Sequence, residues 1–190
     1  MKPTLIAAAL ALATATAAQA QPTTWALDAS HSQILFSYDH LGYSTTFGMF
    51  SGFEGEITFD ADAPENSSVT VAFPVTTMLT GWEERFSHFM SDDFFNAAEN
   101  EMVSFTSTAI EVTGEDTALI TGDLTMNGIT RPVTLDVRLN AMAPHPMENR
   151  PWAGFDATTT VLRSDFDMGA FAPFVSDAVA ITISVEAFEM

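Results

Sequence analysis

A chain of 190 residues carrying 6 Lys+Arg against 25 Asp+Glu, with no Cys, is long enough for one domain with a sizeable core. Its formal net charge of −19 repels nucleic-acid phosphates and anionic lipid surfaces, which argues against nucleic-acid binding. Lacking Cys, it has neither disulfides nor a cysteine-attached lipid anchor, so its stability must come from buried side chains.

Residues 1–20 read as a secretory signal peptide. Lys2 is a short positive start, Leu5 to Ala18 an apolar run, and Ala18-Gln19-Ala20 a small-x-small cleavage site. The run falls short of the about 20 apolar residues that a spanning helix needs. The expected product is a soluble periplasmic protein of residues 21–190. Loss of Lys2 leaves 5 basic residues against 25 acidic ones. The evenly spread acids read as solubility rather than as an acidic docking face.

From there the chain alternates with period two, the mark of strands with one buried face. Strands are expected at Trp25 to Asp28, at Ile34 to His40 and along Thr45 to Phe59, where glycines 48, 52 and 55 suit a sharply coiling strand. Ser68 to Val75 alternates cleanly, with Val69, Val71, Phe73 and Val75 on one side. Gly81 to Ala98 breaks the pattern. Its Trp82, Phe86, Phe89 and Met90 fall at helical spacing and predict a short amphipathic helix, with Ser91 placed to cap a following turn. Strands resume at Met102 to Val112 and Ala118 to Met126, around a tight turn at Gly114-Glu115-Asp116. A second turn at Asn127-Gly128 leads into Val133 to Leu139. Ala143 to Pro151, with three prolines, predicts a loop before Trp152 to Leu162. Ser164 to Phe174 predicts a helical turn with an aromatic-rich loop, and Ile181 to Val185 the last strand.

Eight or nine strands in sequence order, joined by short turns, fit an up-and-down antiparallel arrangement. A barrel is favoured over a sandwich because closure removes the edges. An eight-stranded interior is either filled by side chains or just wide enough for one small ligand, and the pattern does not choose between them.

The segments resemble, in order, the YceI family of periplasmic, lipocalin-like polyisoprenoid-binding proteins. The similarity rests on Trp25-Ala-Leu-Asp28 with His31-Ser32, Phe36-Ser-Tyr-Asp-His40-Leu41, and the run Phe50 to Asp60. It continues through Thr80-Gly81, Glu84-Arg85, His88-Phe89 and Ser91 to Phe95. Phe105 to Thr108, Gly122 to Thr125, Gly128 to Leu135, Arg163 to Phe166 and Val175 to Asp177 complete it. The resemblance implies an all-β, eight-stranded antiparallel lipocalin-like barrel with a short helix between strands, holding a lipid in its pore and having no catalytic residues. Phe86 stands where the family usually has an acid, Met90 near a common basic position, and Asp167 at a common glycine. The first two exchanges bear on the head group.

On that basis the cavity lining is expected to be Phe36, Tyr38, Phe53, Trp82, Phe86, Phe89, Phe94, Phe105 and Met126. The 16 Phe and 10 Met suit an irregular apolar ligand. At about 0.8 kcal/mol per buried methylene affinity comes easily, so loading and release become the hard steps. The region from Trp82 to Phe95 is the candidate gate. Arg85 and His88, three residues apart, could hold a phosphate or quinone head or simply pair with Glu84 or Asp92.

His31, His40 and His88 lack metal-ligand spacing, so no metal is expected; buried, hydrogen-bonded histidine is the better account. No nucleophile elbow or phosphate-cradling loop is present. The reading is a periplasmic carrier of a long isoprenoid or quinone-like lipid, without enzyme activity or other cofactor. Alternatives are a module presenting a quinone to a membrane redox partner, or an enzyme acting on a small amphiphile. His40, on the inward parity, is the residue by which to test the enzyme reading. Oligomeric state is not readable, though a barrel open at one end could dimerise mouth to mouth.

Overall fold

The structure is a computed structural model describing residues 21–190; the expected signal peptide lies outside the described residues. In chain order the strands are β1 (Thr23–Leu27), β2 (Gln33–His40), β3 (Ser44–Ser51), β4 (Glu54–Phe59), β5 (Ser68–Pro74) and the two-residue β6 (Met78–Leu79). Helix α1 (Glu83–Phe89) follows, then β7 (Met102–Val112), β8 (Thr117–Met126), β9 (Ile129–Pro144), β10 (Pro151–Leu162) and β11 (Ala178–Glu189). Neighbouring strands pair antiparallel, and β1 bonds to both β4 and β11, so the sheet closes on itself.

Eleven segments make eight strands of wall. β1 and β2 form one strand interrupted by the 3₁₀ turn Ala29–His31. β3 and β4 form another, broken at Gly52, whose φ of +73° suits glycine. Of the three glycines expected to bend this stretch, Gly52 is the one at the break; Gly48 lies within β3 and Gly55 within β4. Above the break β3 pairs with β6 rather than with β5. The closed, eight-stranded antiparallel barrel agrees with expectation, and closure buries the edges that an open sheet would expose.

Alternation places the inward residues. In β9, Val133, Leu135, Val137 and Leu139 are half-buried, whereas Thr134, Asp136 and Arg138 are exposed. Trp25, Leu27, Phe36, Phe50, Phe53, Phe73 and Val103 belong to one buried cluster.

The ladders define two ends. One, the upper end, carries the β2–β3 turn, α1, the β8–β9 turn and residues 163–177. Leu41 donates to the Phe174 carbonyl there, and the Asn127 side chain to that of Phe166. The lower end carries the 60–67 loop, the β7–β8 and β9–β10 turns and the described chain ends.

The helix is shorter than the expected Gly81 to Ala98. Trp82 at its N-cap supplies no side-chain cap. Ser91, expected to cap the following turn, instead donates its hydroxyl back to the His88 carbonyl at 2.7 Å. Phe94 and Asn96 then donate backbone N–H groups to the Ser91 carbonyl, and Asn96 turns the chain with φ +44°. The proline-rich loop is also shorter than expected, since β9 runs to Pro144 and β10 starts at Pro151.

Candidate functional site

The barrel encloses two chambers. The upper one, about 860 Å³, lies beneath α1; the lower, about 340 Å³, reaches the β7–β8 turn. Phe50, Met126, Val161 and Ile181 wall both and form a waist between them. Volumes of this order suit a bound ligand more than a filled core.

Of the residues singled out in the sequence, Phe36, Tyr38, Trp82, Phe89 and Phe94 line the upper chamber. Phe53 and Phe105 line the lower one, and Met126 lines both. Phe86 is the exception. It packs against the buried cluster and lines neither chamber. Phe89 reaches inward instead, with its ring centroid 6.4 Å from that of Phe36 and 6.2 Å from that of Tyr38. Phe50, Val161 and Ile181 were missed as lining, although the alternation of Ile181 already placed it on one face with Ile183 and Val185.

Apolar surface continues from the upper chamber to the outside. Leu41, Trp82, Phe171 and Phe174 line the chamber and are also exposed, Phe174 by 74%. Glu84, Arg85 and Arg163 bring charge to this chamber's lining, and His40 and His88 bring imidazoles. Arg85 Nη1 donates to the Thr80 carbonyl at 3.1 Å, and the guanidinium lies 5.8 Å from the Trp82 ring centroid. Among the described residues Arg85 makes no ion pair. His88 Nε2 stands 3.1 Å from Asp93 rather than beside Asp92, and its ring meets Phe94 and Phe171 edge-on. His31, His40 and His88 are all exposed, which corrects the expectation of buried histidines; two of the three sit beside turns at the upper end, where solvent reaches them.

Arg163 is the buried cation of the upper end, 8% exposed. Nε donates to Ser176, Nη1 to Met168 and Ala170, and Nη2 to Val175, all backbone carbonyls. Burial draws its pKa down, and the Asp177 carboxylate opposes that. In the sequence Arg163 stands within a family-like stretch with no role assigned to it. An arginine closing an apolar strand, just before an aromatic loop, is the signal that could have found it.

On the barrel's flank, Asp28, His31 and Glu186 bring ligand-type atoms within 4.8 Å of one another. His31 Nδ1 lies 2.5 Å from Asp28, and the Trp152 indole donates to Glu186 at 2.7 Å. Burial alone would raise the Asp28 carboxyl, but hydrogen bonds from His31 and Ser30 outweigh it and hold it low. The same bond to Asp28, with its charge and that of Glu186, raises His31. No spacing in the sequence reveals this group, because the β1–β11 register assembles it.

The profile of the YceI-like domain matches residues 25–187. The chain belongs to this family. A relative termed a UPF0312 protein, from Ectopseudomonas mendocina (strain ymp), is 38% identical over 170 residues, covering 88% of each chain. Protein YceI from Escherichia coli O17:K52:H18 is 35% identical, over 98% of this chain and 97% of its own. Among solved structures, BcnA of Burkholderia cenocepacia superposes with a TM-score of 0.76 at 22% identity, covering 84% of this chain and 98% of that one. A polyisoprenoid binding domain from Saccharophagus degradans, implicated in plant cell wall breakdown, gives 0.65 at 15% identity, over 88% and 99%. At these identities the last two speak to the fold alone.

Proposed function

We propose that this YceI-like barrel binds and carries a long isoprenoid or quinone-like lipid in the periplasm, and that it performs no chemistry of its own. The observation that carries the reading is the pair of chambers, about 860 and 340 Å³, running from α1 to the β7–β8 turn between mostly apolar walls. An isoprenoid tail offers only apolar surface, and such a wall is what it needs. The polyisoprenoid binding described for the Saccharophagus degradans domain supports the same ligand class. Export rests on the leader-like residues 1–20.

In this reading Phe36, Tyr38, Trp82, Phe89 and Phe94 surround the portion of lipid nearest the head, and Phe53, Phe105 and Met126 the tail. Arg85 and His88 stand at the exposed end, where a phosphate or quinone oxygen would meet them. The segment from Trp82 to Phe95 covers the upper chamber and is the element that would move during loading. Arg163, the buried cation there, gives its N–H groups to four backbone carbonyls and holds the loop rather than a reactant.

Native mass spectrometry of the mature protein from its own periplasm, followed by lipid extraction, tests this. A bound isoprenoid or quinone is expected. Protein that emerges empty, and takes up no lipid from detergent, overturns the reading. Arg85→Ala is expected to weaken uptake of a polyprenyl phosphate more than that of the matching alcohol; equal uptake removes the head-group role.

A further inference from the structure

Three wall glycines each lie beneath an inward side chain. A Cβ on Gly48 would fall 2.2 Å from Cζ of Phe36, the residue directly opposite it across the β2–β3 ladder. A Cβ on Gly122 would fall 2.4 Å from Cζ of Phe105 and 2.6 Å from the Thr106 carbonyl oxygen. One on Gly55 would fall 2.8 Å from Leu27 and 2.9 Å from Val71. Carbon atoms pack at about 3.5–4.0 Å, so none of these positions has room for a methyl group while its neighbour stays in place. The glycines themselves line neither chamber; Phe36, Phe105, Leu27 and Val71, lying over them, do.

The side chains of a small barrel ordinarily fill its interior. Here a phenylalanine in each chamber lies back against bare backbone. With a methyl group behind it, the ring would have to rotate into the chamber. At Gly122 the added Cβ would meet the Thr106 carbonyl oxygen as well as the Phe105 ring, so the ring and the local backbone would both have to give way. At Phe36 the displaced ring would turn toward Phe50 and Phe89, whose centroids lie 5.8 and 6.4 Å away.

We propose that Gly48 and Gly122 are specificity-determining residues: each keeps one chamber open by giving its phenylalanine a place against the wall, and the Gly122–Phe105 pair sets how long a tail the barrel accepts. The inference rests on the lipid-binding reading and narrows its ligand to a single-tailed amphiphile. The tail passes the waist of Phe50, Met126, Val161 and Ile181 and ends in the lower chamber. That chamber's charged lining is confined to Glu115 and Asp116 at the far turn, whereas charge is plentiful in the upper one. A short tail stays above the waist and never meets Phe105. A long one does.

Farnesol, geranylgeraniol and solanesol, in order of tail length, serve as probes for the mature protein by native mass spectrometry or calorimetry. Gly122→Ala should lower solanesol affinity by about tenfold or more and leave farnesol unchanged. Adding Phe105→Leu should restore solanesol. Gly48→Ala should weaken all three probes, because each occupies the upper chamber. Should Gly122→Ala fail to fold, Phe105→Trp fills the same space in the native backbone and carries the same expectation. For Gly122→Ala, equal losses across the probes, or no loss for solanesol, would overturn the inference. Wild-type protein that binds none of the probes would instead overturn the lipid reading beneath it.

Discussion

Asp177 accepts two hydrogen bonds from Ser164, one from its backbone N–H at 2.8 Å and one from its hydroxyl at 2.6 Å. With the Arg163 N–H donating to the Asp177 carbonyl, this clasp closes the upper-end loop on itself. Burial alone would raise the Asp177 carboxyl, but the Ser164 hydroxyl and N–H outweigh it and hold it below the ordinary carboxylate value. A depressed carboxyl contributes stability that is present above its ordinary value and fades as pH falls through the lowered one. Asp177→Asn should cost about 1–2 kcal/mol at neutral pH, given its partial exposure. Urea unfolding across the acid range should show that deficit shrinking. A deficit independent of pH would mean the carboxylate charge is not its source.

Arg163→Lys is expected to be poorly tolerated. A single ammonium cannot serve four carbonyls arranged around a planar fork. Carbonyls left without donors inside the loop should cost about 2–4 kcal/mol. Chemical denaturation reads this directly, and a lysine variant as stable as the native protein would contradict it.

At the flank, His31 should titrate above its ordinary value because of the hydrogen bond to Asp28 and the charges of Asp28 and Glu186. Asp28→Asn should bring it back toward about 6.5, as followed by the ring-proton shifts in NMR. The pair's contribution to stability is present below the ordinary histidine value and is lost as pH rises through the raised one. An unchanged His31 titration in the Asn variant would rule out Asp28 as the cause.

Asn127 ties three upper segments together. Its amide donates to the Phe166 carbonyl at 3.1 Å and accepts from Asn100 at 3.1 Å, while its backbone holds φ +48°. Asn127→Ala should cost about 1–3 kcal/mol through lost bonds and left-handed strain. Asn127→Gly keeps the backbone freedom and loses only the bonds, so it should cost less. Thermal unfolding of the two variants separates the contributions; equal losses would assign the whole effect to the side chain.

Strands buried on one face were legible because the pleat imposes its own period. β7 runs from Met102 to Val112 although its alternation shifts at the bulge between Ser107 and Ala109, and Asn127-Gly128 marks the turn after β8 directly. Interruptions were less legible. The break at Gly52 and the 3₁₀ turn Ala29–His31 depend on where neighbouring strands change partners, which alternation does not record. α1 ends at Phe89, and the Ser91 hydroxyl donates back to the His88 carbonyl instead of capping the next turn. Phe86 and Phe89 share a helical spacing, yet only Phe89 reaches a chamber, since a seven-residue helix is oriented by what it packs on. Most of the lining was visible as inward aromatic residues. The calibre of the interior was not, because it depends on glycines lying beneath rings.

The Met190 N–H donates to the Thr24 carbonyl at 2.9 Å, so the two ends of the described chain are neighbours at the pole opposite α1. A label, fusion partner or solid support attached near either end would leave the aromatic mouth facing outward, like a cup standing on its base. A short linker between the ends, with a new opening cut at the 145–150 turn on that same pole, would give a permuted chain that keeps every strand pairing and the mouth intact.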